Sequence, residues 1–143
     1  MYSTIVVGTD GSATASVAVT RAGELAKLCG GTVHLVHGCG SAVIADASMM
    51  AVPVTMSEDA ISGLEAELDK QAEPLRSQGA DVVVHVETQS GPEAVLGYAE
   101  TVDADLIVVG NQGMTGKRRF ILGSVPNAVS HHAPCSVLIV RTS

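Results

Sequence analysis

Five short apolar runs rich in Val and Ile, near residues 4–9, 32–37, 82–87, 105–110 and 135–140, set the strongest limit on how this chain folds. Each reads as a strand, and the segments between the first four carry apolar residues at helical spacing. Strands alternating with helices predict an α/β domain built on a parallel sheet. Ala18, Ala22, Leu25, Ala26 and Cys29 line one helix face before Gly30-Gly31 stops it. Ile61, Leu64, Leu68, Ala72 and Leu75 make a second stripe, in which Pro74 is expected to kink the helix or end it early. Pro92 sits where a first turn tolerates it, opening a third helix through Ala94, Val95, Tyr98 and Ala99. Residues 39–57 break the regularity, with Met49, Met50 and Met56 among Ala, Val and Ser; a lid over a ligand and a mobile connection both fit them.

At 143 residues the chain is expected to form one domain, 1–143, with a core that needs neither disulfides nor a structural metal. Its only aromatics are Tyr2, Tyr98 and Phe120, so that core must come from Val, Ile, Leu and Ala, which suits small helix residues packed on β-branched strands. A formal charge of −7 argues against nucleic acid, whose phosphates demand a basic face. The N-terminus lacks the basic region of a secretory signal, and the most apolar loop is broken by Asp46, glycines and Pro53. No spanning helix is therefore expected, and the chain reads as soluble and cytoplasmic.

Cys29, Cys39 and Cys135 are odd in number and lack Cys-x-x-Cys spacing, so reduced, mostly buried thiols are expected. His34 and His37, three apart on a strand, point to opposite faces and cannot close on one ion. His131 and His132, near a helix end, interact favourably with its negative terminus.

The stretch Gly110-Asn-Gln-Gly113, followed nine residues later by Gly123-Ser124-Val125-Pro126, reads as a phosphate cradle. It follows an apolar strand, its glycines let the backbone approach an anion closely, and it ends where Ser124 is expected to cap a new helix. A Walker loop would need glycine at Asn111 and Ser or Thr at Arg118. A dinucleotide fingerprint fails too, because Gly38-Cys-Gly40-Ser-Ala-Val43 lacks its third glycine. Lys117-Arg118-Arg119 is the one dense cationic cluster, inside this loop. A triphosphate brings about four negative charges against about half a charge from one helix end, so the cluster and Mg2+ would share the remainder; a solvated surface run is the plainer alternative.

The spacing Gly-x2-Gly-x9-Gly-Ser resembles the ATP-binding branch of the universal stress protein family. Ile5-Val-Val-Gly-Thr-Asp10-Gly-Ser and His132-Ala-Pro-Cys-Ser-Val-Leu-Ile-Val140 resemble the same family, so the likeness spans nearly the whole chain. It implies a doubly wound five-stranded parallel sheet in the order 3-2-1-4-5, with helices on both faces. A crevice then falls between the first and fourth strands, where an open sheet binds ligands at its carboxyl edge.

On this resemblance Thr9 and Asp10 would bind the nucleotide, Asp10 near its ribose, although Asp10 before glycine also suits an Asx-turn or a helix cap. Gly38 stands where the family places an apolar residue that contacts adenine through its main chain. Gly110 and Gly113 would face sugar and α-phosphate, with Asn111 among the ATP-binding residues between them, and Gly123, Ser124 and the Val125 N–H would hold the terminal phosphates. The implied ligand is ATP with Mg2+ held mainly through phosphates, with AMP or a cyclic nucleotide as alternatives. The implied role is a stress-linked regulator with at most slow ATP hydrolysis, since no Walker lysine, general base or paired-carboxylate metal site accompanies the loop. A homodimer through the final strand is implied as well, because Ser136–Arg141 would otherwise present an apolar edge. A non-nucleotide interaction dimer and a nucleotide hydrolase or transferase are the rival readings.

Overall fold

Ile5, Val6 and Val7 are all fully buried, which a strand achieves only when both faces of its sheet are covered. The computed structural model describes residues 1–40, 42–45, 51–54, 56–89, 91–111 and 122–142. Strand β1 (Thr4–Gly8) leads to helix α1 (Ala13–Cys29), β2 (Thr32–Gly38), the short strands β3 (Ala42–Ala45) and β4 (Ala51–Val54), and α2 (Glu58–Ser77). β5 (Asp81–Glu87), α3 (Gly91–Thr101), β6 (Leu106–Gly110), α4 (Ser124–His132) and β7 (Ser136–Val140) follow.

The main sheet has the order β5-β2-β1-β6-β7, and every neighbouring pair is parallel. Counted along the chain, its own five strands run 3-2-1-4-5, the order implied by the resemblance. Alternation along the strands splits the core in two. Ile5, Val7, Leu35 and Val108 pack with Ala18, Ala22 and Ala26 of α1 and with Leu68, Ala72 and Leu75 of α2. Val6, Val36, Ile107 and Val109 pack on the other face with Ala94, Val95 and Ala99 of α3 and with Val129 of α4. A small residue on the strand also brings the layers close: a Cβ at Gly8 of β1 would lie 2.7 Å from Val95 Cγ2 of α3.

Local chemistry sets the boundaries. Ser12 caps α1 by accepting the Ala15 N–H, and Gly30 ends it in the left-handed region at φ 69°. Ser57 caps α2 in the same way through the Ala60 N–H. That helix runs through Pro74 to Ser77 rather than ending at the proline. In the last turns the ring removes one bond, to the Lys70 carbonyl, when little helix remains to be disrupted. At the sheet's opposite edge the Asp105 carboxylate accepts the N–H groups of Ser3 at 2.8 Å and Thr4 at 3.2 Å, fixing where β1 begins.

Two further expectations change. The segment 39–57 contains an antiparallel hairpin, with Ala42 opposite Val54 and Ala45 opposite Ala51; Met49 and Met50 lie outside the described residues. The three thiols are free but only half-buried, because each stands at the end of an element or in the turn beside one. Among the described residues no helix is long and apolar enough to cross a membrane.

Candidate functional site

The chain leaves β1 for α1 on one face of the sheet and leaves β6 for α4 on the other, so the carboxyl ends of these adjacent strands part and leave a crevice. A cavity of about 160 Å³ occupies it. Val36, Val95 and Val109 give it an apolar floor, while Asp10, Ser12, Gly123 and Ser124 bring polar groups to its wall. Of the residues expected to bind ligand, Thr9, Asp10, Gly38, Gly110, Gly123, Ser124 and Val125 line this cavity. Asn111 does not appear in its wall. Gly113, Lys117, Arg118 and Arg119 lie outside the described residues.

The β1 side is held by Thr9, which is 7% exposed and uses every polar group it has. Its N–H donates to the Val36 carbonyl at 2.9 Å and its hydroxyl to Gln71 Oε1 of α2 at 3.0 Å. The same hydroxyl accepts the Gly11 N–H at 3.1 Å. The Thr9 carbonyl receives His37 Nδ1–H at 2.9 Å, and because a carbonyl only accepts, that nitrogen carries the proton. Beyond this hub, Asp10 Oδ1 accepts the Ser12 N–H at 2.9 Å, an Asx-turn that Gly11 completes at φ 80°. Asp10 thus makes the local turn and also lines the cavity.

The β6 side ends in the start of α4, where the structure corrects one reading. Gly123, not Ser124, is the N-cap, and being a glycine it makes no side-chain cap bond; Ser124 is the first helical residue. The reason is geometric: Gly123 donates its N–H to the Asn111 carbonyl at 3.0 Å and accepts the Asn127 N–H at 3.0 Å, which places the helix start one residue earlier. Ser124 and Val125 both line the cavity, and as first-turn residues of α4 their N–H groups have no partner within the helix. The starts of α1 at Ser12 and α3 at Gly91 border the same cavity, so three positive helix ends converge on it. Neither α1 nor α4 has an acidic residue in its first turn to offset that charge. The arrangement suits an anionic group on the α4 side and a flat apolar or sugar moiety towards Val36 and Gly38.

Sequence reasoning missed part of the wall. Val36 and Val109 were findable, since each is the last apolar residue of its run before the chain turns at the carboxyl edge. Val95 of the wall and Gln71, which holds the Thr9 hydroxyl, come from helices distant in sequence, and nothing in their local pattern marks them. No group of three His, Cys, Asp or Glu among the described residues is placed to hold a metal ion. A polar cluster of β2, β5 and α3 lies apart from the cavity. His34 Nδ1 meets Tyr98 Oη at 3.1 Å, His85 stacks on Tyr98 at 4.3 Å, and His85 Nε2 meets Glu87 Oε1 at 2.7 Å. Burial lowers the His34 pKa, opposed by Asp81 and aided by His85; burial and Glu87 raise that of Tyr98.

A doubly wound sheet with a cavity over its switch point is an architecture of ligand-binding α/β proteins. Residues 1–141 match the universal stress protein family. The universal stress protein YxiE of Bacillus subtilis is 32% identical over 149 residues, covering 99% of this chain and 100% of the relative. A universal stress protein solved in complex with cAMP is 30% identical with a TM-score of 0.74, over 99% of this chain and 98% of that one. Another, from Archaeoglobus fulgidus in complex with dAMP, is 26% identical with a TM-score of 0.70, over 98% of each chain. The chain belongs to the universal stress protein family.

Proposed function

We propose that this protein binds an adenine nucleotide in the β1–β6 cavity and acts as a nucleotide-responsive regulator in the stress response. One observation carries the reading: the glycine-capped start of α4 lines a cavity whose other wall is the braced Thr9–Asp10 turn and whose floor is apolar. A helix start suits phosphate, the Asp10 carboxylate suits ribose hydroxyls, and Val36 with the Gly38 backbone suits a base. The relatives solved with cAMP and dAMP support an adenine ligand. ATP is the ligand favoured here, with Gly110 and Gly113 against sugar and α-phosphate, Gly123, Ser124 and Val125 at the terminal phosphates, and Lys117, Arg118 and Arg119 offsetting charge. Mg2+ would enter through the phosphates. AMP or a cyclic nucleotide is the alternative, since both end in a single phosphate group that one helix start can hold. The role is binding rather than rapid turnover, in a cytoplasmic homodimer. Mass spectrometry of the small molecules released on denaturing freshly purified protein tests the ligand class. An adenine nucleotide at near one per chain is expected, and a stoichiometric ligand of another class would overturn the reading.

A further inference from the structure

Asn111 sits in the glycine stretch yet has its groups turned to another task. Its Oδ1 accepts both the N–H of Thr142, at 2.8 Å, and the hydroxyl of Thr142, at 3.0 Å. Its N–H donates to the Val140 carbonyl at 2.8 Å, and its own carbonyl accepts the N–H of Gly123 at 3.0 Å. One residue therefore ties the chain just past the edge strand β7 to the N-cap of α4. We infer that Asn111 is a positioning residue, which fixes the phosphate-facing start of α4 by anchoring it to Thr142, outside the cavity. This rests on the nucleotide reading given above.

The clamp acts through preorganisation. Residues 111 and 123 are the two ends of a long excursion, and holding them together has an entropic cost. Two hydrogen bonds to one carboxamide oxygen restrict the Asn111 side chain, and the Val140 bond fixes its N–H, so its peptide carbonyl stays aimed at Gly123. Gly123 is then held on both sides, by Asn111 and by Asn127, and the next donors along, Ser124 and Val125 N–H, keep their direction. Donors already oriented gain more from an anion than donors that must be ordered on binding. The base and sugar side, built on Thr9, Asp10 and Gly38, shares none of these bonds, so only the phosphate part of a ligand should sense the clamp.

Calorimetric dissociation constants for ATP and for adenosine, measured on the full chain, test this. Asn111→Ala is expected to weaken ATP about tenfold and Thr142→Val about threefold, the scale of one or two lost hydrogen bonds, with adenosine changed less than about twofold. Thr142→Ser, which keeps the hydroxyl, should bind ATP like the wild type. Unchanged ATP binding in Asn111→Ala and Thr142→Val, or equal losses for ATP and adenosine, would overturn the inference. If the wild type binds neither ligand, the nucleotide reading fails on its own, and hydrogen exchange at the Gly123 amide judges the clamp. Exchange about tenfold faster in Asn111→Ala supports it, and unchanged exchange contradicts it.

Discussion

Thr9 shows how one side chain joins fold to site. Its hydroxyl bridges Gln71 of α2 and the Gly11 N–H, so Thr9→Val, nearly equal in volume, strands a donor in the Asp10 turn and an acceptor on α2. A loss of about 1–2 kcal/mol in urea unfolding is expected, with Thr9→Ser close to wild type. His34 gives a second outcome, in pH. Its folded pKa lies below its ordinary 6.5 because burial disfavours the charged form, while Asp81 opposes that effect and His85 and the Tyr98 hydroxyl are its other neighbours. Below pH 6.5 the unfolded chain binds the proton more readily than the folded one. Stability from this residue is therefore present above 6.5 and lost as pH falls towards the folded pKa. Urea midpoints in the wild type should decline across that interval, and His34→Gln should flatten the decline; an unaltered slope would remove His34 as its source.

Between elements the decisive contacts are close approaches. Gly8 ends β1 directly under Val95 of α3, and Gly8→Ala would place a Cβ 2.7 Å from Val95 Cγ2. Overpacking there is expected to cost about 1–3 kcal/mol, read in urea unfolding, and Gly8→Ala with Val95→Ala should recover part of it. This contact also marks what the sequence could reveal. The five strands were legible because β-branched runs alternate with segments of helical spacing, which leaves few parallel topologies; their order came from the family resemblance, and the turns at Asp10 and Gly110 sat at strand ends. The hairpin in 39–57 was not legible, since four-residue strands carry too short a period to stand out among alanines and valines. Pro74 misled because the rule about prolines concerns helix interiors, whereas this one lies in the final turns. Ser124 misled because a serine before a helical pattern reads as a cap, and only the Asn127 N–H bond to the Gly123 carbonyl shows that the helix begins with the preceding glycine as its cap. The bonds from Thr142 to Asn111 Oδ1 were not legible either, because the two residues lie far apart in the sequence.

For the whole molecule, β7 pairs with β6 on one side and has no described strand on the other. We propose that it pairs with its counterpart in a homodimer. Leu138 is 37% exposed, whereas Val140 is buried against the α1 and α2 side. Leu138→Lys is thus expected to shift sedimentation towards monomer with circular dichroism unchanged, and Val140→Lys to unfold the protein. A wild type that stays monomeric at tens of micromolar would contradict that assembly. The central claim, that the crevice between β1 and β6 takes the phosphates of an adenine nucleotide at the start of α4, is tested most directly by titrating ATP into the wild type and Gly123→Val in parallel by calorimetry. Wild type should bind, and the folded variant should lose about 2 kcal/mol or more, because a β-branched side chain at the cap obstructs close phosphate approach. Equal ATP affinity in the two folded proteins would contradict the account.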